Sequence, residues 1–362
     1  MCSYSFLLLC RCARFAKLYS YKDLSISCFG KRAGIFCEVI VCLMTLGSCI
    51  SYNILIGDFL PEVAKFFSPH DCWCFDRKIV IVACAVVVLL PLCCLKKLDS
   101  LRYSSFLGCL CIVFSSGVIC ALAFNNSEAG GKRKSAEIFK IDQGLFVAVA
   151  LMSVAFTMHY NALQYYSELK DRSEARAATV IRTSFSICWV MYALVGAAGY
   201  YTFGKAVKGD ILKNYDSSYG ALVESSRLSL SACILVTFPL PFHACRGAIL
   251  KIFWDGAVSN LKFYVVTAVM ITLSVGIALV SEDVSVVLAY KGSLFGTPII
   301  FIMPSLFYLK LFSPDKRWCT KENVGPMVLL VAGIAFGLLG AVMTTLDVAN
   351  PADEIPDEDW EP

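Results

Sequence analysis

Long apolar runs, free of Asp, Glu, Lys and Arg, set the pattern of this chain. There are nine: Val39–Gly57, Ile79–Leu95, Tyr103–Ser127, Gln143–Ser167, Thr183–Gly204, Leu228–Cys245, Phe263–Ser281, Gly292–Leu309 and Asn323–Leu346. Most reach 18 residues or more, and Ile79–Leu95, at 17, is the shortest. A helix crosses the hydrocarbon of a bilayer in about 20 residues. No charged residue lies in the middle of any run, and one there would cost about 2.5–3.5 kcal/mol on insertion scales. The runs lack the two-residue alternation of a membrane barrel, and an open sheet in lipid would leave backbone groups unpaired. The pattern predicts an all-α integral membrane protein with a bundle of nine helices over residues 1–346. The acidic segment 347–362 that follows reads as a disordered tail.

Composition agrees. Hydrophobic residues make up 58% of the 362 positions and charged ones 17%, against about 25% charged in a soluble chain. A net charge of +4 with no concentrated basic face gives no reason to expect a nucleic-acid partner. The basic residues sort instead by segment. Arg11, Arg14, Lys17, Lys96, Lys97, Lys170, Arg172, Arg246, Lys251, Lys310 and Lys316 fall on alternate connections, which the positive-inside rule assigns to the cytoplasm. The acidic tail and the glycosylation acceptor Asn125-Asn126-Ser127 then lie on the opposite side. Most of the 19 cysteines sit within the apolar runs and read as small core residues. Cys72 and Cys74 lie in a polar loop as thiols, a disulfide or, with His70, ligands. No metal site is assigned, because further ligands at matched spacing are missing. The stub Tyr4–Cys10, followed at once by Arg11, is too short to span and reads as the cytoplasmic end of a longer helix.

Short connections leave no room for a soluble catalytic domain. There is no phosphate-binding Gly-rich loop, two-histidine metal helix or nucleophile elbow, so the chain is not expected to be an enzyme or to hold a cofactor. A carrier driven by an ion gradient fits the pattern, and such carriers hold substrate at mid-membrane beside interrupted helices. The interruptions are therefore the candidate chemistry. Phe156, Thr157, His159 and Asn161 form a polar cluster within one run. The imidazole could carry a proton or bridge two helices. Thr237 precedes Pro239 and Pro241, which remove backbone donors and free carbonyls, and its hydroxyl could hold a cation. Ser51, Tyr52 and Asn53 in the first run either line a cavity or pack closely. Pro298 and Pro304 mark a further helix that cannot be straight.

With these segments in view, the chain resembles the amino acid/auxin permease family, and most closely its sodium-coupled neutral amino acid transporter (system A/N, solute carrier family 38) branch. The similar stretches run in order: Ser20-Tyr21-Lys22-Asp23-Leu24, Leu90-Pro91-Leu92, Phe156–Leu169, Val236–Arg246 and Gly292–Tyr308. The resemblance implies the inverted-repeat fold of the amino acid–polyamine carriers, with eleven helices. It places Ser51, Tyr52, Phe156, His159 and Thr237 at or beside the substrate. It implies secondary active transport of amino acids in symport with H+ or Na+, in a plasma, vacuolar or lysosomal membrane, and the uncharged middle of every run favours neutral substrates. Two departures qualify it. Met1 falls within the family's second helix, and Leu235 stands where the sodium-coupled branch carries a second hydroxyl, which favours protons. A non-transporting amino acid sensor and an inactive truncated copy are the competing expectations. Oligomeric state leaves no mark in the pattern.

Overall fold

Helix α1 (Cys2–Ala16) and helix α2 (Tyr21–Phe29) precede the first long apolar run. The computed structural model describes residues 1–68, 73–95, 101–128, 143–215, 219–254, 256, 258–281, 283–313 and 320–349. Among the described residues the remaining helices are α3 (Lys31–Phe67), α4 (Arg77–Cys94), α5 (Leu101–Glu128), α6 (Gln143–Ala155), α7 (Ala162–Glu168), α8 (Glu174–Phe203), α9 (Ala221–Phe253), α10 (Asn260–Val280), α11 (Val284–Phe312) and α12 (Val324–Ala349). Counting α6 and α7 as one interrupted span, nine of these are long and apolar enough to cross a membrane. Each coincides with one of the nine runs.

Several helices outlast their runs. Helix α3 has 37 residues, about 55 Å at 1.5 Å per residue, well beyond the roughly 30 Å of hydrocarbon. Helix α11 begins at Val284 rather than Gly292, which brings Lys291 inside it. Helix α12 continues to Ala349, so residues 347–349 of the expected tail are helical; the rest of the tail lies outside the described residues, as do His70 and Cys72. Cys74 is in a disulfide, whereas Cys49, Cys93 and Cys245 are free and fully buried in the core.

These helices are apolar nearly all round, so an amphipathic stripe does not decide which face turns inward. Small residues do, because helices in lipid associate by close packing. A Cβ on Gly57 would lie 2.5 Å from Ile81 Cδ1, and one on Gly333 would lie 2.6 Å from Phe301 Cβ. Those glycines set α4 against α3 and α12 against α11. The faces left outside carry Val86 and Val87 on α4, Ile187, Trp189 and Val190 on α8, and Val328 and Val331 on α12. Lipid covers such rows without penalty.

Two cores result. One joins α3, α4, α9 and α10 around Phe59, Ile81, Phe238 and Phe242. The other joins α1, α2, α7 and α11 to the first half of α3, around Leu24, Met44, Ile299 and Phe307. Helix α3 serves both and runs through the middle.

Four spans are broken, α4 among them, where it widens to a π-helical turn at Ala85–Leu89. Helix α6 stops at Ala155, and the chain passes through a single tight turn, His159–Asn161, before α7. Helix α9 kinks at Phe238, because neither Pro239 nor Pro241 has an N–H to return to the carbonyl four residues back. Helix α11 widens to π-helical turns at Lys291–Gly296 and again at Pro298–Ile302. In the wide register Pro304 would donate to Ile299, and in the ordinary register to Ile300. It does neither, and hydroxyls from outside fill the gap: Tyr21 donates to the Ile299 carbonyl at 2.8 Å and Ser5 donates to the Ile300 carbonyl. A buried carbonyl is rarely left unmet. Proline thus fixes where α1 and α2 dock.

Candidate functional site

The kink of α9 and the middle of α3 face each other. The Tyr52 phenol reaches the Thr237 side chain, and its ring lies 6.3 Å from that of Phe238. The Thr237 hydroxyl donates to the Cys233 carbonyl at 2.7 Å, a return to its own helix that commonly accompanies a bend. From the break between α6 and α7, Tyr160 comes close to Tyr52 and Cys49. Two interrupted or bent elements therefore meet at α3.

His159, on the same break, is fully buried and turned the other way. Its Nε2 is 3.1 Å from the Cys2 carbonyl. A carbonyl only accepts, so Nε2 carries the proton and Nδ1 is a bare acceptor. That Nδ1 is buried with no hydrogen-bond partner. Phe6 closes on the ring edge-on at 5.5 Å. Phe156 stacks on Phe185 at 5.7 Å and meets Tyr192 edge-on. A cavity of about 330 Å³ opens here, lined in part by Phe156, Arg182, Phe185 and Trp189. Thr157 donates to the Ser153 carbonyl, and Asn161 leads into α7.

The candidates of α3 divide. Ser51 is buried with its hydroxyl on the Gly47 carbonyl at 2.9 Å. Asn53 points to α10, where its Nδ2 is 3.2 Å from Ser274 Oγ, while its Oδ1 has no partner. Tyr52 and Thr237 are thus brought together, His159 and Phe156 form a neighbouring group against α1 and α8, and Asn53 belongs to a third contact. Asn125 is exposed one turn before the end of α5.

The expectation of charge-free spans fails. Arg246 is 3% exposed; its guanidinium donates to the Cys93 carbonyl at 2.6 Å and Thr267 Oγ1 at 2.9 Å, beside His243 Nδ1 at 2.5 Å. It closes the last turn of α4, where a cation is favoured by the helix dipole. Lys291 is the more consequential case. It is 8% exposed, and its stem lies across Gly47, where a Cβ would come within 3.2 Å of Lys291 Cδ. Neither Lys291 nor Tyr160 stood out in the sequence. Lys291 bordered an apolar run, and only the extension of α11 back to Val284 moves it inside.

At the Asp58 end of the bundle a cavity of about 850 Å³ is rimmed by charge. The Asp58 carboxylate, 4% exposed, pairs with Arg77 at 3.1 Å and Lys213 at 2.9 Å. Glu224 pairs with Arg227, which also donates to the carbonyls of Leu212 at 3.0 Å and Tyr215 at 2.8 Å. Beside them Asp210 is pushed up to about 6, chiefly by burial, with the Asp58 charge adding to it.

Residues 1–349 match the family described as transmembrane amino acid transporter protein. The chain belongs to this family. A Danio rerio relative named "Putative sodium-coupled neutral amino acid transporter 11" is 30% identical over 353 residues, which are 95% of this chain and 76% of the relative. A Rattus norvegicus protein of the same name is 28% identical, covering 92% of this chain and 73% of its own length. A Bos taurus protein of that name is 28% identical over 97% of this chain and 74% of its own. The transporter is a multi-pass membrane protein with an amino acid as its substrate, and neither the family nor these relatives are enzymes. The resemblance of the five ordered segments to amino acid permeases thus holds over residues 1–349.

Proposed function

We propose that this chain carries amino acids by secondary active transport, through a site where the α6–α7 break and the α9 kink meet the middle of α3. The carrying observation is that Tyr52, Thr237 and Tyr160 converge there from three helices, two of them interrupted. Interrupted helices at mid-membrane supply the unpaired backbone groups that an amino acid requires. The arrangement is compatible with the inverted-repeat carrier fold. His159 and Phe156 would border the site, with Ser51, Asn53, Thr157 and Asn161 supporting it.

Protons are the coupling ion this geometry favours. Position 235 is a leucine, and the Thr237 hydroxyl is engaged with its own helix, so that side of the kink offers a single side-chain oxygen, short of the several that sodium needs. His159, with a bare Nδ1, offers a proton acceptor. The relatives' names point to sodium and to neutral amino acids. Neutral substrates now rest on that likeness, because Lys291 removes the argument from charge-free spans.

Purified protein in liposomes, given labelled amino acids under an imposed pH gradient or an imposed sodium gradient, tests the proposal. Uptake against concentration under the pH gradient is expected. Uptake under sodium alone would reverse the ion. Binding without uptake under either gradient would make the chain a sensor, and neither binding nor uptake would make it inactive.

A further inference from the structure

Lys291 is the one described lysine that is both buried and within the middle of the bundle. The helix around it is not ordinary: it sits at the head of the first π-helical stretch of α11, Lys291–Gly296, a distortion that often marks functional positions. Its stem packs on Gly47, one residue from the centre of the uncharged stretch Val39–Gly57. On the other side Gly292 seats α11 directly against the Ala150 carbonyl of α6. The side chain therefore lies against α3, and at 8% exposure most of it is withdrawn from the surface.

Among the described residues no carboxylate reaches the ammonium there. Among the described residues Lys291 makes no ion pair and no hydrogen bond, and the ionisable group that bears on it is the Cys49 thiol, a weak and neutral partner. The carboxylates at the ends of the bundle are taken: Asp58 by Arg77 and Lys213, Glu224 by Arg227, Glu38 by Lys251 at 3.6 Å. A cation held in a membrane interior pairs with something or marks the path of a charged ligand. Cys49 also neighbours Tyr52 and Tyr160, so Lys291 borders the proposed transport site.

The geometry points to Lys291 as the cation that receives the carboxylate of the transported amino acid. This rests on the transport reading above and adds to it the group that selects an acid. The small Gly47 leaves room for the lysine stem, which a Cβ there would meet at 3.2 Å, and the wide turn at residues 291–296 sets the lysine on the α3 face. Two carboxylates would satisfy the same ammonium: the α-carboxylate common to all amino acids, or the side-chain carboxylate of an acidic one.

The test measures thermal melting of the purified full chain with each of the 20 common amino acids, and with the α-carboxamides of alanine and leucine. Wild type, Lys291→Met and Lys291→Arg are compared. Amino acids are expected to raise the wild-type midpoint while the carboxamides do not. Lys291→Met loses that preference by tenfold or more in apparent affinity, and Lys291→Arg keeps part of it. The ligand-free Lys291→Met protein melts above wild type, since an unpaired buried cation has been removed; a melt below wild type would overturn the assignment. A shift by aspartate or glutamate but not by asparagine or glutamine assigns the side-chain carboxylate; a shift by neutral amino acids assigns the α-carboxylate. Equal preference for acid over amide in wild type and Lys291→Met removes the role of the lysine and leaves transport standing, provided wild type still takes up amino acids in liposomes. No midpoint shift and no uptake with any of the 20 removes both.

Discussion

Arg77 on α4 holds Asp58 on α3 at 3.1 Å, and the same guanidinium donates to the carbonyls of Ala278 and Ser281, each at 3.3 Å, where α10 ends. One side chain therefore ties three spans together at the mouth of the charged cavity. Replacing Arg77 with Met leaves Asp58 to Lys213 alone and uncaps α10. A buried group stripped of a partner costs about 1–3 kcal/mol, so the melting midpoint falls. Adding Asp58→Asn recovers part of the loss, because the unmatched charge goes with it. Thermal melting of the two variants and wild type checks both statements.

Asp210 stands in the connection between α8 and α9, outside the spans, and burial raises its carboxyl from 3.8 to about 6. A carboxyl with a raised folded-state pKa keeps its proton better folded than unfolded. Its contribution is therefore fully present below about pH 4 and is lost as pH climbs through 6. Asp210→Asn holds a neutral group at every pH. The variant's stability should be flatter than that of wild type between pH 4 and 7, as read from melting midpoints across that range.

Glycines 47 and 292 lie on opposite sides of α11 at Lys291 and should differ in sensitivity. A Cβ on Gly292 collides with the Ala150 backbone carbonyl, which cannot swing away. A Cβ on Gly47 meets the Lys291 stem at 3.2 Å, which can shift by a few tenths of an ångström. Gly292→Ala should cost about 1–3 kcal/mol, the usual cost of overpacking, and Gly47→Ala less. Gly47→Ala should instead act on substrate affinity. Melting measures the first comparison and uptake KM the second.

His159 gives a prediction that separates bridging from proton carriage. Glutamine can supply an N–H in place of Nε2–H and keep the bond to the Cys2 carbonyl, a contact worth about 1 kcal/mol, whereas leucine cannot. His159→Gln should melt near wild type and His159→Leu below it. With Nδ1 as the proton acceptor, both variants lose the pH dependence of uptake. Uptake by His159→Gln that still follows pH as in wild type would limit the histidine to bridging.

The hydrophobic pattern by itself determined that this chain lies in a membrane, and it marks nine runs about long enough to cross one. Uncharged runs of bilayer length have no other stable home, since backbone polar groups in lipid are met only within helices or closed barrels. The breaks in α9 and α11 were legible for the same kind of reason: Pro239, Pro298 and Pro304 remove donors wherever they stand, whereas the break after α6 holds no proline and was marked only by its polar cluster. The sequence could not say which residues those breaks bring together. Helices apolar on every side carry no directional signal, so glycine contacts such as Gly57 with Ile81 decided the rotations. Those rotations turned Asn53 toward Ser274, His159 toward Cys2, and Tyr160 toward Tyr52. The role of Lys291 was hidden most fully. Its charge ended an apolar run, as surface lysines do, and only the return of α11 against Gly47 places it in the interior. A charge reads as a boundary in one dimension and becomes a site when packing withholds its counterion.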